Sequence, residues 1–351
     1  MTELLVPEPL KAVSWSELKT YQRCPKQWEY KYQDRLVPIA KARPLFLGSW
    51  GHRALETQYT QGDWKVGHQE YLDEYNKLFQ EERDGLNTKR GRLQTVTIDM
   101  VVPKIMRSYN WYYRNDGWKV IAVEQPFEVD TPLKIDGRVQ PFQGVIDLII
   151  EDAEGRWWIV DHKFVSSIPD GSAFHAMDPQ LMLYPWAAKE AWNYNIAGII
   201  YNYVRSRPPT QPQLLKNGQL SRRKIVTDYP TAYTFLKSVG RDPAQFADVL
   251  RPLMKKSPFL QRYRLPREIK VTKAILKDAL STAKRIRTPG HHYRVITRDC
   301  SRMCSYHDLC RAELNGFDTT LMRQKNFTPK EARVLVDRTD TEYEPDDEDE
   351  E

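Results

Sequence analysis

The strongest hydrophobic pattern in the chain lies between residues 143 and 164. Gln143-Gly144-Val145-Ile146-Asp147-Leu148-Ile149-Ile150 is one β-branched, apolar run, and Arg156-Trp157-Trp158-Ile159-Val160-Asp161-His162-Lys163-Phe164 is a second; each has the length and composition of a strand. Between them Glu151-Asp152-Ala153-Glu154-Gly155 supplies the polar residues and the glycine of a short turn, so the two strands are expected to pair antiparallel. Trp118 to Val129 begins the sheet and Ala197 to Val204 adds another strand. Helical patterns flank these runs. Ser14-Trp15-Ser16-Glu17 resembles a capping box opening a helix to about Arg23, and Lys26 to Tyr32 follows. Gly62 to Asn115 reads as helical, with Tyr71, Tyr75, Leu78 and Phe79 at core spacing. Asp178 and Pro179 provide an N-cap and a first helical position, and Tyr229 to Lys256 and Lys270 to Arg287 are two further helical stretches. Met1 to Val13 reads as a loose arm. The pattern predicts an α/β chain with a mixed central sheet flanked by helices.

Two polar positions interrupt the apolar hairpin. Side chains alternate along a strand, so Asp161 and Lys163 point to the same side, and pairing brings Asp147 to that end. Two carboxylates in an apolar hairpin are costly unless a cation neutralises them. A hard divalent ion, Mg²⁺ or Mn²⁺, suits carboxylate oxygens and keeps positions open for water and phosphate. Lys163 beside such an ion would orient or help deprotonate water. On the helix after the hairpin, Gln180 and Tyr184 are four apart and share a face. The same spacing joins His52 and Glu56 in Gly48-Ser49-Trp50-Gly51-His52-Arg53-Ala54-Leu55-Glu56.

Gly144-x-x-Asp147, Asp161-x-Lys163 and Gln180-x-x-x-Tyr184, in that order, resemble the motifs of the PD-(D/E)XK nuclease superfamily, specifically its RecB-like branch. Gly48, His52, Leu55 and Glu56 are similar to the segment that supplies a histidine to the metal site in that branch. The resemblance implies a restriction-endonuclease-like core and metal-dependent phosphodiester hydrolysis. Asp147, Asp161, His52 and the carbonyl of His162 are the implied ligands, Lys163 positions water, and Gln180 and Tyr184 orient the site or the strand. Glu56 and Glu124, the latter on the strand before the hairpin, are auxiliary candidates. DNA is the implied partner, and exonuclease action at ends, in recombination, repair or phage DNA metabolism, is the implied mode.

Charge agrees with a polyanionic partner. Nine carboxylates and no Lys or Arg lie between Asp340 and Glu351, so removing them from the formal +6 leaves +15 on residues 1–339. That acidic tail, residues 337–351, is too poor in apolar residues to fold alone, and residues 1–336 are read as one nuclease domain. Within it, 14–60 holds the first cysteine and the histidine motif, 118–204 the catalytic core, and 229–310 a helical region ending in cysteines. The last helix there places Lys273, Lys277, Lys284 and Arg285 on an exposed side, a solvated face or a DNA contact. No apolar run reaches a membrane span and the N-terminus lacks the layout of a signal peptide, so an intracellular protein is expected.

The four cysteines are Cys24, Cys300, Cys304 and Cys310, and without a secretory signal they read as metal ligands. Ser16, Leu18, Tyr21, Cys24 and Pro25 resemble the entrance of RecB-like nucleases that bind an iron–sulfur cluster, AddB-like and CRISPR-associated ones among them. A 4Fe-4S cluster is the implied cofactor. In those relatives the late trio is usually spaced Cys-x-x-Cys-x-x-x-x-x-Cys, and one extra residue separates Cys300 from Cys304 here. Zn²⁺, with His307 replacing a thiol, stays open. So do two other classes of function, a non-catalytic DNA-binding protein of the same fold and a zinc-stabilised interaction module.

Overall fold

The computed structural model describes residues 10–38, 43–83, 89–169, 178–221 and 226–329. In chain order these form β1 (Val13–Ser14), α1 (Trp15–Arg23), α2 (Pro25–Trp28) with a π turn at Glu29–Gln33, β2 (Leu36–Pro38), α3 (Arg43–Gln61), α4 (Trp64–Arg83) and α5 (Lys89–Tyr113). Strands β3 (Lys119–Ile135), β4 (Arg138–Glu151) and β5 (Trp157–Val165) follow, then α6 (Pro179–Trp192) and β6 (Ile196–Arg205). The remainder is α7 (Tyr229–Ser238), α8 (Ala247–Lys255), β7 (Leu260–Pro266), α9 (Ile269–Arg287), α10 (Cys300–Met303), α11 (His307–Leu314), α12 (Thr320–Asn326) and β8 (Phe327–Pro329). The acidic tail and the side chains of Tyr75, Leu78 and Phe79 lie outside the described residues.

Two compact units divide the chain, Met1–Leu18 with Lys41–Pro289, and Lys19–Ala40 with Gly290–Glu351. The first is built on a six-stranded mixed sheet in the order β1-β4-β5-β6-β7, with β3 also paired to β4. The β4–β5 hairpin is antiparallel, as its sequence pattern predicts, and β5 runs parallel to β6. Its turn is fixed by Asp152, a buried carboxylate that accepts from the Arg156 backbone, the Arg156 guanidinium at 2.8 Å and Trp158 Nε1 at 2.8 Å. On one sheet face Leu148, Ile150, Trp158, Val160 and Ile200 form a core. A second cluster, including Trp50, Leu55, Met106, Tyr109 and Val204, joins α3 and α5 to β6, and Tyr71 of α4 stacks on Trp50 at 5.1 Å. Burying each such large side chain contributes roughly 1.5–3 kcal/mol.

Three elements depart from the sequence pattern. The single helix expected over Tyr229–Lys256 is two, because Gly240 takes φ +69 beyond the end of α7 and the chain re-enters helix only through a 3-10 turn at Pro243–Phe246. The arm before Val13 ends in β1, which adds parallel to β4. Strand β7 carries Arg262 and Arg264 at inner positions of its run, which hides its apolar alternation.

The second unit has its own small core of Tyr30, Tyr306, Leu309 and Phe327, with Leu36, Cys304, Cys310 and Met322 packed against it. Strands β2 and β8 pair antiparallel within it. Tyr306 stacks on Phe327 at 5.5 Å and donates to the Leu36 carbonyl at 2.7 Å.

Candidate active site

Strand register in the first unit lines up three acids. Val123 pairs with Leu148 and Gln125 with Ile146, which sets Glu124 opposite Asp147. The β4–β5 ladder ends at the pair Leu148–Val160, and Asp147 and Asp161 are the next residues beyond it on their strands. Side chains alternate along each strand from those pairs, so Glu124, Asp147 and Asp161 stand in a row on one face of β3, β4 and β5. Glu124 adopts φ +46, a left-handed conformation rarely taken by a residue with a side chain.

Helix α3 delivers His52 to this row. Its Nδ1 lies 3.5 Å from Asp147 Oδ2, and His52, Glu124 and Asp147 each offer one ligand atom, all within 4.8 Å of one another. The same Asp147 oxygen accepts the His162 backbone N–H at 2.9 Å. Lys163 donates to Asp161 Oδ1 at 2.9 Å, and its ammonium is 2.8 Å from Oδ2. Helix α6 starts as its sequence predicts, with Asp178 accepting from the Gln180 N–H at 3.0 Å, and Gln180 Nε2 donates to the Tyr184 hydroxyl at 2.9 Å.

Glycines permit these approaches. A Cβ on Gly144 would stand 2.7 Å from the Phe127 ring and 3.3 Å from the Tyr184 hydroxyl, and one on Gly51 would stand 2.1 Å from the Phe164 ring. Gly48, the glycine of the sequence motif, faces open space. The glycine that lets α3 lie close to β5 is therefore Gly51.

The electrostatics are those of too much negative charge in too little water. Burial, then the charges of Asp147 and Glu56, push Glu124 up to about 8 against the opposing pull of Arg53. Burial likewise raises Asp161 to about 6, with Asp147 adding to it and Lys163 opposing. Burial alone would lower the Lys163 ammonium, but Asp161 and Asp147 outweigh it and hold it above its ordinary range. Tyr184 is raised chiefly by burial.

These residues fit a hard divalent cation. One imidazole nitrogen and several carboxylate oxygens are a suitable donor set, and a cation would relieve the repulsion from Asp147 that adds to burial in raising Glu124 and Asp161. Glu56 and Asp161 lie outside the close group of ligand atoms, Glu56 held by Arg53 Nη1 at 2.8 Å and Asp161 by the Lys163 ammonium. The His162 ring turns to the other sheet face, where burial, then the charges of His52, Arg262 and Lys163, keep it well below its ordinary range. Arg53, which pairs with Glu56 and also with Glu70 at 3.1 Å, has no signal in the sequence beyond standing next to His52.

All four cysteines belong to the second unit, and three of their sulfurs contact the stretch Arg294–Thr297. Cys24 Sγ accepts from Val295 N at 3.5 Å, Cys300 Sγ from Thr297 N at 3.4 Å, and Cys310 Sγ from Arg294 Nε at 3.3 Å. Burial raises the Cys304 thiol, and Cys24 and Cys300 lie near enough to add to that. Among the described residues no three of the sulfurs come within 4.8 Å of one another. His307 pairs with Asp308 at 3.2 Å.

The chain belongs to the PD-(D/E)XK nuclease superfamily, whose family model matches residues 12–311. Among solved structures it is similar to a candidate exonuclease from Eubacterium rectale, with 12% identity, 83% of this chain and 87% of that chain covered, and a TM-score of 0.45. It is also similar to SSO0001, with 11% identity, 87% and 88% covered, and a TM-score of 0.34. Curated proteins give no match. No helix among the described residues is long and apolar enough to cross a membrane.

Proposed function

We propose that the chain is a Mg²⁺- or Mn²⁺-dependent deoxyribonuclease, acting as an exonuclease at DNA ends in recombination, repair or phage DNA metabolism. The observation that carries this reading is the row Glu124, Asp147 and Asp161 on one face, with His52 against it and Lys163 beside it. Asp147, Asp161, His52 and the carbonyl of His162 would hold the cation, and Glu124 joins them on geometry. A cation bound there would polarise the phosphate and acidify its bound water. Lys163, fixed by Asp161, orients the attacking water and offsets charge on the phosphate. The water oxygen forms the new bond to phosphorus, the bond from phosphorus to the leaving sugar oxygen breaks, and that oxygen takes up a proton. Gln180 and Tyr184, locked to each other, set one wall of the site.

In the second unit the four cysteines are proposed to hold a 4Fe-4S cluster, and the amide and guanidinium donors aimed at their sulfurs support it.

The test is end-labelled linear DNA and closed circular DNA, single- and double-stranded, incubated with Mn²⁺, Mg²⁺ or EDTA. Metal-dependent loss of label from linear DNA with circles intact is expected. Intact DNA under every condition would overturn the nuclease reading, and nicked circles would overturn the exonuclease mode.

A further inference from the structure

Behind the row of acids, on the opposite face of the same sheet, lies a buried polar assembly that the proposed chemistry does not use. Arg262 of β7 is its centre, stacked between the Tyr113 ring at 3.5 Å and the Trp118 ring at 3.7 Å. Its Nε donates to Asn202 Oδ1 at 3.2 Å, its Nη1 to Asp116 at 3.1 Å, and its Nη2 to the Tyr59 and Tyr109 hydroxyls at 3.1 Å each. Asn202, fully buried, spans from there to β5. Its Nδ2 lies 2.8 Å from the Tyr109 hydroxyl and 2.8 Å from His162 Nδ1.

The polarity of this chain of bonds is determined. A guanidinium has donors only, so the Asn202 atom facing it is the carbonyl and the atom facing His162 is the amide. The His162 Nδ1 must then accept, and the ring carries its proton on Nε2. The Tyr59 ring stacks on the His162 ring at 5.8 Å and 12°, closing it from the other side. His162 is therefore held in one tautomer and one rotamer.

What makes this consequential is the residue it immobilises. His162 stands between Asp161 and Lys163, and its own backbone N–H holds Asp147 Oδ2. Any rotation of β5 at this position moves that N–H, the carbonyl behind it and both neighbouring side chains together. A hydrophobic residue at position 162 would pack against the same sheet face without fixing the rotation, since dispersion contacts are not directional.

We propose that Arg262, acting through Asn202 on His162, is a positioning device that fixes the β5 backbone and thereby the carboxylates of Asp147 and Asp161 in cation-binding geometry. The inference rests on the metal reading given under Proposed function. Asn202, Arg262 and His162 are positioning residues, their side chains lying on the sheet face opposite Asp161.

The experiment is calorimetric titration of Mn²⁺ into wild type, Asn202→Leu and His162→Phe in the absence of DNA, with a thermal melt of each and steady-state cleavage alongside. Both variants are expected to bind Mn²⁺ about 10- to 100-fold more weakly, with kcat falling in step and KM for DNA within about 2-fold, as when the partners that orient ligands are removed. A role confined to stability would lower the number of Mn²⁺ sites in proportion to the folded fraction and leave their affinity unchanged, which overturns the inference. His162→Phe keeps the ring stack on Tyr59 and carries the test if Asn202→Leu does not fold. Wild-type Mn²⁺ affinity in a folded variant would also overturn it. Wild type that itself binds no Mn²⁺ would instead remove the metal reading on which it rests.

Discussion

At the scale of single residues the site is a set of charges arranged against their own preferences. Asp161 and Lys163 stood out in the sequence because they interrupt an apolar strand in order with Gly144, Asp147, Gln180 and Tyr184. The standing of Glu124 was not legible, because what brings it to Asp147 is register between strands, and register is not written in either strand alone. Its raised titration gives a test. Glu124 titrates near 8 in the folded chain against an ordinary 4.5, so between those values the native state keeps a proton that the unfolded chain has lost, and stability falls as pH rises through the window. In metal-free protein Glu124→Gln should leave stability nearly unchanged at pH 4.5 and raise it at pH 9 by on the order of 2 kcal/mol. Urea melts at the two pH values measure this, and an equal difference at both would contradict it.

At the scale of elements, the hairpin, α6 and α9 were readable from local signals: a turn between two apolar runs, an aspartate before a proline, and a 3.6-residue apolar period. Helix α9 ends at Arg287, as its pattern predicts, with Lys273, Lys277, Lys284 and Arg285 exposed. Strand β7 escaped because Arg262 faces inward to satisfy a polar assembly, which breaks the rule that inward positions are apolar. The pairing of α3 with α4 also depends on a residue without a side chain. A Cβ on Gly67 would stand 2.2 Å from the Arg53 carbonyl oxygen, which is backbone and cannot turn aside, and Gly67 N–H donates to Thr57 Oγ1 at 3.0 Å. Gly67→Ala should therefore push α4 off α3 and destabilise the protein by about 1–3 kcal/mol. Because α3 carries His52, Mn²⁺ binding should weaken as well. Thermal melts and Mn²⁺ titration check both, and a stable variant with unchanged affinity would show that the helices separate freely.

At the scale of the whole molecule, cysteines far apart in sequence meet in a unit formed from residues 19–40 and 290–351. The proposal that they are a ligand set comes from their count and spacing; β2 and β8 were not legible at all, since three-residue strands almost three hundred positions apart leave no local trace. If a four-iron cluster ties these segments, protein purified without air should be brown with about four irons per chain. Cys24→Ser should bleach it and lower the melting temperature, because a metal bound only by the native state adds its binding free energy to stability. Colourless protein with stoichiometric zinc would contradict that assignment. The row of acids is the proposed place of phosphodiester cleavage. Its most direct test is single-turnover cleavage of linear DNA at saturating Mn²⁺ by wild type and Asp161→Asn, with DNA affinity and melting temperature measured on both. Asp161→Asn should fold, bind DNA within a few-fold of wild type through its distributed phosphate contacts, and cut at least about a thousandfold more slowly; folded Asp161→Asn that cuts at the wild-type rate would rule out this site as the place of cleavage.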